Sequence, residues 1–321
     1  MKKIMSFVLA SAALALAASC QKEVNPYDLS NADTPVTVTV QLPDGINTKA
    51  YGDGQTVKKV YYEIWTEGFA NKVYPETGNT YAELSEGSAT IEFTLVRGGV
   101  YSFVFWAMAD GAPYTWDDMT AIKLNYTSDD TGIATGNEET RDAFCATVDI
   151  NVTAGVSQTV TLKRPFAQLN FGADDMESTT AGTLTLTQSS VRVNKIASVY
   201  DATKGEGKED IEINFTATGG ALSEALTTGN ESYTRLSTNY IIPVGANAQS
   251  LVSVSATFTA TDETSTTYNV THNFTELPIQ QNYRTNVTGA IFTAKGSVTT
   301  TIDENFATPL NSKPITNAET N

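Results

Sequence analysis

The chain has 321 residues, and its 36 acidic side chains outnumber its 20 basic ones, which gives a formal net charge of -16. Since nucleic-acid binding needs a basic surface to meet the phosphates, this charge excludes nucleic acid as a partner. At roughly 100 to 200 residues per domain, the length predicts two domains.

The N-terminal segment is typical of a bacterial lipoprotein signal. Two lysines precede an apolar run, and Ala17-Ala18-Ser19 leads to Cys20. Small residues expose the peptide bond before Cys20, whose thiol then accepts diacylglycerol. The run holds about 15 apolar or small residues, fewer than the roughly 20 that span a bilayer, which argues against a retained helix. We therefore predict a signal over residues 1–19, lipidation at Cys20 and a linker over residues 20–35.

The residues after Cys20 bear on location. Gln21-Lys22-Glu23 resembles the surface-export tag of Bacteroidetes lipoproteins, which implies a surface-exposed protein of the cell outer membrane. No later segment has a membrane-spanning length of unbroken apolar residues, so we expect the lipid to be the only membrane attachment. With Cys20 lipidated, Cys145 is the remaining cysteine, and the mature chain can form no internal disulfide.

Alternation of apolar and polar residues dominates the body of the chain and predicts an all-β protein. The clearest strand is Val36 to Leu42, with Val36, Val38, Val40 and Leu42 on one face. Further strands are predicted at 57–66, 89–96, 100–108, 122–126, 143–152 and 157–162. These are enough for one β-sandwich, which we place at residues 36–165.

A second series of strands follows Pro165, at 167–171, 183–193, 211–217, 238–244, 251–260, 266–273, 282–292 and 298–302. We predict a second sandwich over residues 166–303. From Glu304 onward the chain carries prolines and many Asn and Thr residues, and we predict a loose tail over residues 304–321.

The sequence lacks the motifs of nucleotide-binding, hydrolytic and zinc sites, so we predict no enzyme activity, no cofactor and no metal. Cys145 is predicted to be a small buried apolar residue. The single histidine, His272, lies far from it in the sequence, so no base is available for a catalytic thiol. Paired acids at 117–118, 129–130 and 174–175 are interpreted as solvated turns rather than calcium or acid-base sites.

Aromatic residues are the other candidates for a binding site. Trp106 lies in a strand that is apolar on both faces, which predicts a core position. Tyr114 and Trp116 lie in a turn-rich loop, where an exposed ring can contact a ligand. They are the candidate ligand contacts.

Four segments together resemble a known family. They are the lipobox at 17–20, the first strand with its 48–52 loop, the strand at 101–107, and the pair of segments 164–171 and 281–289. The chain resembles the fimbrillin-like lipoproteins of Bacteroidetes, the subunits and accessory proteins of type V pili. The resemblance implies two transthyretin-like, Greek-key β-sandwiches in tandem, in agreement with the strand count.

The resemblance also implies an assembly mechanism. In the family a protease removes the first strand, and a strand of the next subunit fills the groove. Here Val36 to Leu42 is the candidate displaced strand, Lys49-Ala50 the candidate cleavage site, and Val298, Thr300, Ile302 and Phe306 the candidate groove-filling residues of a donor strand. Well-known members are cut after Arg, and the matching residue here is Lys49, so the strand is either removed by a Lys-tolerant protease or retained.

The sequence therefore predicts a fimbrillin-like structural or adhesive subunit of a type V pilus, as stalk, tip or anchor. Its expected partners are the outer membrane, other pilin subunits, and surface glycans or proteins. The alternative is an outer-membrane surface glycan-binding lipoprotein without catalytic activity, for which Tyr114 and Trp116 would be the binding residues.

Overall fold

The computed structural model describes residues 34–43, 52–127, 131–153, 155–178, 182–222, 224–246, 249–293 and 298–304. Strands dominate these ranges, and the helical segments are two 3-10 turns at Glu67–Phe69 and Glu139–Arg141. Within the described ranges, no helix has the length and apolar character needed to cross a bilayer. The all-β prediction is confirmed.

The first half of the chain forms two facing sheets. Its strands are β1 (Thr34–Gln41), β2 (Val57–Thr66), β3 (Lys72–Tyr74), β4 (Tyr81–Glu83), β5 (Ser88–Leu95), β6 (Val100–Ala109), β7 (Ile122–Lys123), β8 (Ile133–Thr135), β9 (Ala143–Asn151) and β10 (Val156–Thr161). One sheet has the order β10-β1-β5, and the other has the order β3-β2-β6-β9, with β4 also on β2. A shared core of buried side chains from both sheets makes this a β-sandwich.

The second half forms another pair of sheets. Its strands are β11 (Ala167–Ala173), β12 (Glu177–Ser178), β13 (Gly182–Thr183), β14 (Thr185–Asp201), β15 (Glu206–Thr218), β16 (Leu226–Thr228), β17 (Glu231–Ile241), β18 (Ser250–Thr261), β19 (Thr267–Ile279), β20 (Tyr283–Gly289) and β21 (Val298–Glu304). One sheet has the order β16-β17-β11-β20-β21, and the other has the order β19-β18-β14-β15-β8. The chain is therefore two β-sandwiches in tandem, and β12 and β13 form a separate hairpin.

Strand β14 is longer than the predicted strand at 183–193. Its register shifts between Val193 and Ile196, where Lys195 has a positive φ of 57°. Such a bulge lets a strand continue after its hydrophobic alternation changes phase, and the sequence pattern breaks at that point. The predicted strand at 122–126 is instead shorter, because Ile122 and Lys123 pair with β14 and Leu124 adds a single backbone hydrogen bond, to the Ser198 carbonyl.

Strand β6 contributes to the cores of both sandwiches. Phe103 and Phe105 lie in the core of the first sandwich, whereas Val104 and Trp106 on the opposite face lie in the second core. All four are fully buried. This position explains why the strand is apolar on both faces, and it confirms the core position predicted for Trp106.

The predicted boundary near Pro165 does not separate the two cores. Strand β7 pairs with β14 and strand β8 pairs with β15, so both belong to a sheet of the second sandwich. Leu124 and Tyr126 are buried in the second core as well. The segment between β6 and β9 thus crosses to the second sandwich and returns, which length and turn signals along the chain cannot reveal.

Candidate functional site

Strand β1 lies in the middle of its sheet, with a hydrogen-bonded neighbour on each side. It pairs antiparallel with β5 from Thr34 to Gln41 and parallel with β10 from Val36 to Gln41. It therefore satisfies backbone N–H and C=O groups of both neighbours. Removing it would leave β5 and β10 facing each other across an open groove.

The inner face of β1 supplies apolar side chains to the first core. Val36, Val38 and Val40 are fully buried, and Leu42, just after the strand, is 8% exposed. This confirms the apolar face predicted from the alternation. Burial of an aliphatic side chain of this size contributes about 1.5 to 3 kcal/mol, so these four stabilise the closed sandwich by several kcal/mol.

The outer face of β1 contacts both neighbours through polar side chains. Thr39 Oγ1 lies 3.4 Å from Thr90 Oγ1 on β5. Gln41 Nε2 donates a hydrogen bond to Thr161 Oγ1 on β10, at 3.1 Å. These contacts are exposed and are therefore weaker than the apolar contacts on the inner face.

The chain after β1 is fixed at Gly52, the first residue described beyond the predicted cleavage site. The Gly52 N–H donates to Glu139 Oε2 at 3.0 Å, and the Gly52 carbonyl accepts a hydrogen bond from Arg164 Nη2. Gly52 has a positive φ of 81°, a conformation that favours glycine. Both backbone groups of this residue are thus bound by side chains distant in sequence.

Arg164 and Asp142 form a buried, bidentate ion pair. Arg164 Nε lies 2.7 Å from Asp142 Oδ1, and Arg164 Nη2 lies 2.8 Å from Oδ2. The two side chains are 1% and 0% exposed. The guanidinium also lies 4.3 Å from the centre of the Phe144 ring. Because both charges are desolvated, each depends on the other for its neutralisation.

Glu139 joins this pair to the second sandwich. Its Oε1 accepts a 2.6 Å hydrogen bond from Tyr240 Oη on β17. Burial raises the pKa of the Glu139 carboxyl from 4.5 to about 7, although the bonds from Gly52 and Tyr240 oppose that increase. We call Gly52, Glu139, Asp142, Arg164 and Tyr240 the junction cluster, since it connects the chain after β1 to both sandwiches.

Several predicted site residues lie outside the described residues. These are the lipidation site Cys20, the candidate cleavage residues Lys49 and Ala50, and Phe306 of the candidate donor. Of the other donor residues, Val298 and Thr300 are 5% exposed and Ile302 is half-buried. They lie on β21, which pairs with β20 at the edge of its sheet.

The two aromatic residues of the 110–118 loop have different positions. Tyr114 is 5% exposed, its hydroxyl donates to the Arg141 carbonyl at 2.6 Å, and its ring packs edge-on against Trp106. This corrects the ligand contact predicted for Tyr114, because the ring anchors the loop to the core. Trp116 is half-buried, packs edge-on against Tyr61, and lines a surface pocket of about 270 Å³.

Cys145 and His272 each have a partner within the fold. Cys145 Sγ lies 3.4 Å from Tyr200 Oη, and burial raises the pKa of the thiol to about 11, so the thiol is neutral near pH 7. His272 Nε2 lies 2.9 Å from the Ile291 carbonyl oxygen.

One acid of each pair in the described ranges accepts hydrogen bonds from backbone N–H groups. Asp175 accepts hydrogen bonds from the backbone N–H groups of residues 291–293, at 2.8 to 3.0 Å. Asp118 accepts one from the Thr120 N–H at 2.9 Å. In the part of the chain that the structure describes, no group of three or more His, Cys, Asp or Glu side chains is placed to hold a metal ion.

The sequence interpretation missed the junction cluster. In the sequence Arg164 lies in one of the segments that resemble the family, and Glu139 and Asp142 lie in a polar stretch where no local pattern marks them. A buried ion pair between residues 22 positions apart leaves no periodic signal. The one local signal near Arg164 is the proline that follows it, since a proline just after a strand ends the regular pairing of the chain.

A protein-family model described as a family of unknown function matches residues 29–320. A search of curated proteins finds no significant match.

Solved structures similar to this chain come from Bacteroidetes. A proposed cell adhesion protein from Bacteroides eggerthii has a TM-score of 0.49 and 14% identity, covering 84% of this chain and 95% of its own. A fimbrial assembly protein from Parabacteroides distasonis has a TM-score of 0.44 and 10% identity, covering 88% and 99%. The tip fimbrial protein Mfa3 from Porphyromonas gingivalis, with a C-terminal truncation, has a TM-score of 0.41 and 10% identity, covering 84% and 98%.

Proposed function

The chain belongs to that family, DUF6562, whose description assigns no function, and we propose that it is a lipid-anchored structural or adhesive subunit of a type V pilus. In this proposal Cys20 carries the lipid and the body lies on the outer surface of the outer membrane. Subunits join when a strand of one copy replaces β1 of the next.

The position of β1 is the observation that carries the proposal. A central strand with an apolar inner face fills a groove that any strand of similar pattern and the same direction could occupy. The occupant must run parallel to β10 and antiparallel to β5. While β1 is in place, both edges are paired, so the uncut form offers no groove to a partner.

Cleavage at Lys49-Ala50 is the proposed switch. The junction cluster fixes Gly52, so the sandwich on the C-terminal side of the cut keeps its anchoring when β1 is released. After cleavage β1 is held by non-covalent contacts alone, and a second chain then competes for the groove. If Lys49 is never cut, the same fold serves as an anchor or terminal subunit.

The proposed donor is the segment that begins at β21. Among the described strands its hydrogen-bonded neighbour is β20, so leaving the sheet breaks one ladder of hydrogen bonds and exposes the buried Val298 side chain. Val298, Thr300 and Ile302 alternate along it with the spacing of Val36, Val38 and Val40. Phe306 has the same parity after the intervening Glu304 and adds a larger apolar side chain.

A reversible disulfide between β1 and β5 tests the proposal. Thr39 and Thr90 are directly opposite, with their hydroxyls 3.4 Å apart, so T39C and T90C together place two thiols in bonding position. Oxidised protein treated with a Lys-specific protease should remain monomeric by size analysis. After reduction, the same sample should form multimers.

The T90C single variant is the matched control, and it should assemble with or without reductant. Oxidised T39C/T90C protein that forms as many multimers as this control would contradict strand replacement at β1. A mass measurement confirms that the disulfide has formed and that Lys49-Ala50 has been cut.

A further inference from the structure

A pocket of about 630 Å³ lies where the two sandwiches meet. Strand β9 and the segment at Lys163-Arg164 line one side, and the turns at 202–205 and 280–283 line the other. Concave sites between domains are common ligand sites in proteins. Strand replacement at β1 does not involve this pocket.

The charge of the pocket is opposite to that of the whole chain. Its lining contains Lys163, Arg164 and Lys204 and no Asp or Glu, although the chain carries a net charge of -16. Asp142 neutralises Arg164. The ammonium groups of Lys163 and Lys204 therefore supply the positive charge of the pocket.

The nearest carboxylate does not cancel that charge. Asp201 is buried and pairs with Lys208 at 2.5 Å, whereas Lys204 Nζ is 4.0 Å away and its side chain is 63% exposed. One carboxylate is thus shared by two ammonium groups, which leaves an excess positive charge at Lys204. Among the described residues, Lys163 has no ion-pair partner.

The uncharged part of the lining is fixed before any ligand binds. Gln281 is 4% exposed, and its Nε2 donates to the Gly205 carbonyl at 3.1 Å, which joins the two turns. Asn282 Oδ1 accepts a hydrogen bond from the backbone N–H of Arg164 at 3.3 Å. Because these contacts fix the turns, binding needs little ordering of the backbone.

The neutral side chains of the lining suit a polar ring. Cys145 and Tyr200 are both neutral near pH 7, since burial raises the pKa of each group, so they do not repel an anion. Tyr283 adds an aromatic side chain to the lining, and Thr147 and Gln280 add groups that both donate and accept hydrogen bonds. Sugar hydroxyls both donate and accept hydrogen bonds, so side chains of this kind can satisfy them.

We infer that this pocket binds a carboxylate-bearing saccharide, with the carboxylate between Lys163 and Lys204 and the sugar hydroxyls on the amide and hydroxyl side chains. Ammonium-carboxylate hydrogen bonds are among the stronger polar contacts, and a concave site screens them less than open solvent does. The inference does not depend on strand replacement, and its site is distinct from the Trp116 pocket.

Saturation-transfer NMR and calorimetry on the full protein test the inference, with glucuronic acid and N-acetylneuraminic acid as probes. Glucose tests the need for a carboxylate, and acetate tests the need for a sugar. We expect binding of at least one acidic sugar, and K163M/K204M should weaken it by about tenfold or more while retaining the thermal stability of the wild type.

The W116A variant is the control, because Trp116 lines a separate pocket. It should bind the acidic sugar as the wild type does. The inference is overturned if neither acidic sugar binds, if glucose or acetate binds equally well, or if K163M/K204M has no effect. Loss of binding in W116A would move the saccharide site to the Trp116 loop and would equally contradict this assignment.

Discussion

Replacing Asp142 by alanine is expected to lower the free energy of unfolding by about 3 to 5 kcal/mol. The substitution leaves the Arg164 guanidinium, which is 1% exposed, without its carboxylate partner in the interior. The hydrogen bond from Arg164 to the Gly52 carbonyl cannot neutralise a buried charge, because the carbonyl carries no net charge. Urea denaturation at pH 7 measures the change.

An exposed ion pair in the same protein provides the control. Arg192 and Glu212 lie 3.0 Å apart, and their side chains are 58% and 53% exposed. E212A should therefore change stability by no more than about 1 kcal/mol. A D142A variant that behaves like E212A would show that the junction cluster does not hold the two sandwiches together.

Replacing Glu139 by glutamine should remove a pH dependence of stability. Since the pKa of Glu139 is raised to about 7, the folded protein retains a proton that the unfolded chain releases above its ordinary pKa of 4.5. The wild type should therefore lose stability as the pH rises from about 5 to 8. The full difference of about 2.5 pKa units corresponds to about 3 kcal/mol, of which about 2 kcal/mol is lost between pH 5.5 and pH 8.

Urea denaturation of E139Q and wild type at pH 5.5 and pH 8 measures this effect. The variant should show the smaller loss of stability between the two conditions, because glutamine does not titrate. Exposed Glu212 supplies the control, and E212Q should follow the wild type. Equal losses in E139Q and wild type would show that Glu139 does not carry the effect.

The first sandwich illustrates what the sequence can predict. Val36, Val38, Val40 and Leu42 alternate with polar residues, and the structure places all four in the core. The bounds of β2 agree with the predicted strand at 57–66. Alternation reports which face of a strand is buried, and this information is local in the chain.

The partner of a strand and the partner of a buried charge both depend on residues distant in the chain. The sequence therefore does not predict them. Nothing in the residues around Ile122 or Ile133 shows that β7 and β8 join the second sandwich. Arg164 and Asp142 likewise form an ion pair only because the fold brings them together. Tyr114 shows a third case, since its loop resembles an exposed turn while its ring is anchored in the core.

The most direct test of the account is the N-terminal sequence and size of the protein recovered from the outer surface of its native cells. Strand replacement predicts a chain that begins at Ala50 and migrates as multimers without reducing agent. A chain that begins at lipidated Cys20 and is found only as a monomer would contradict the proposal that β1 is exchanged between subunits.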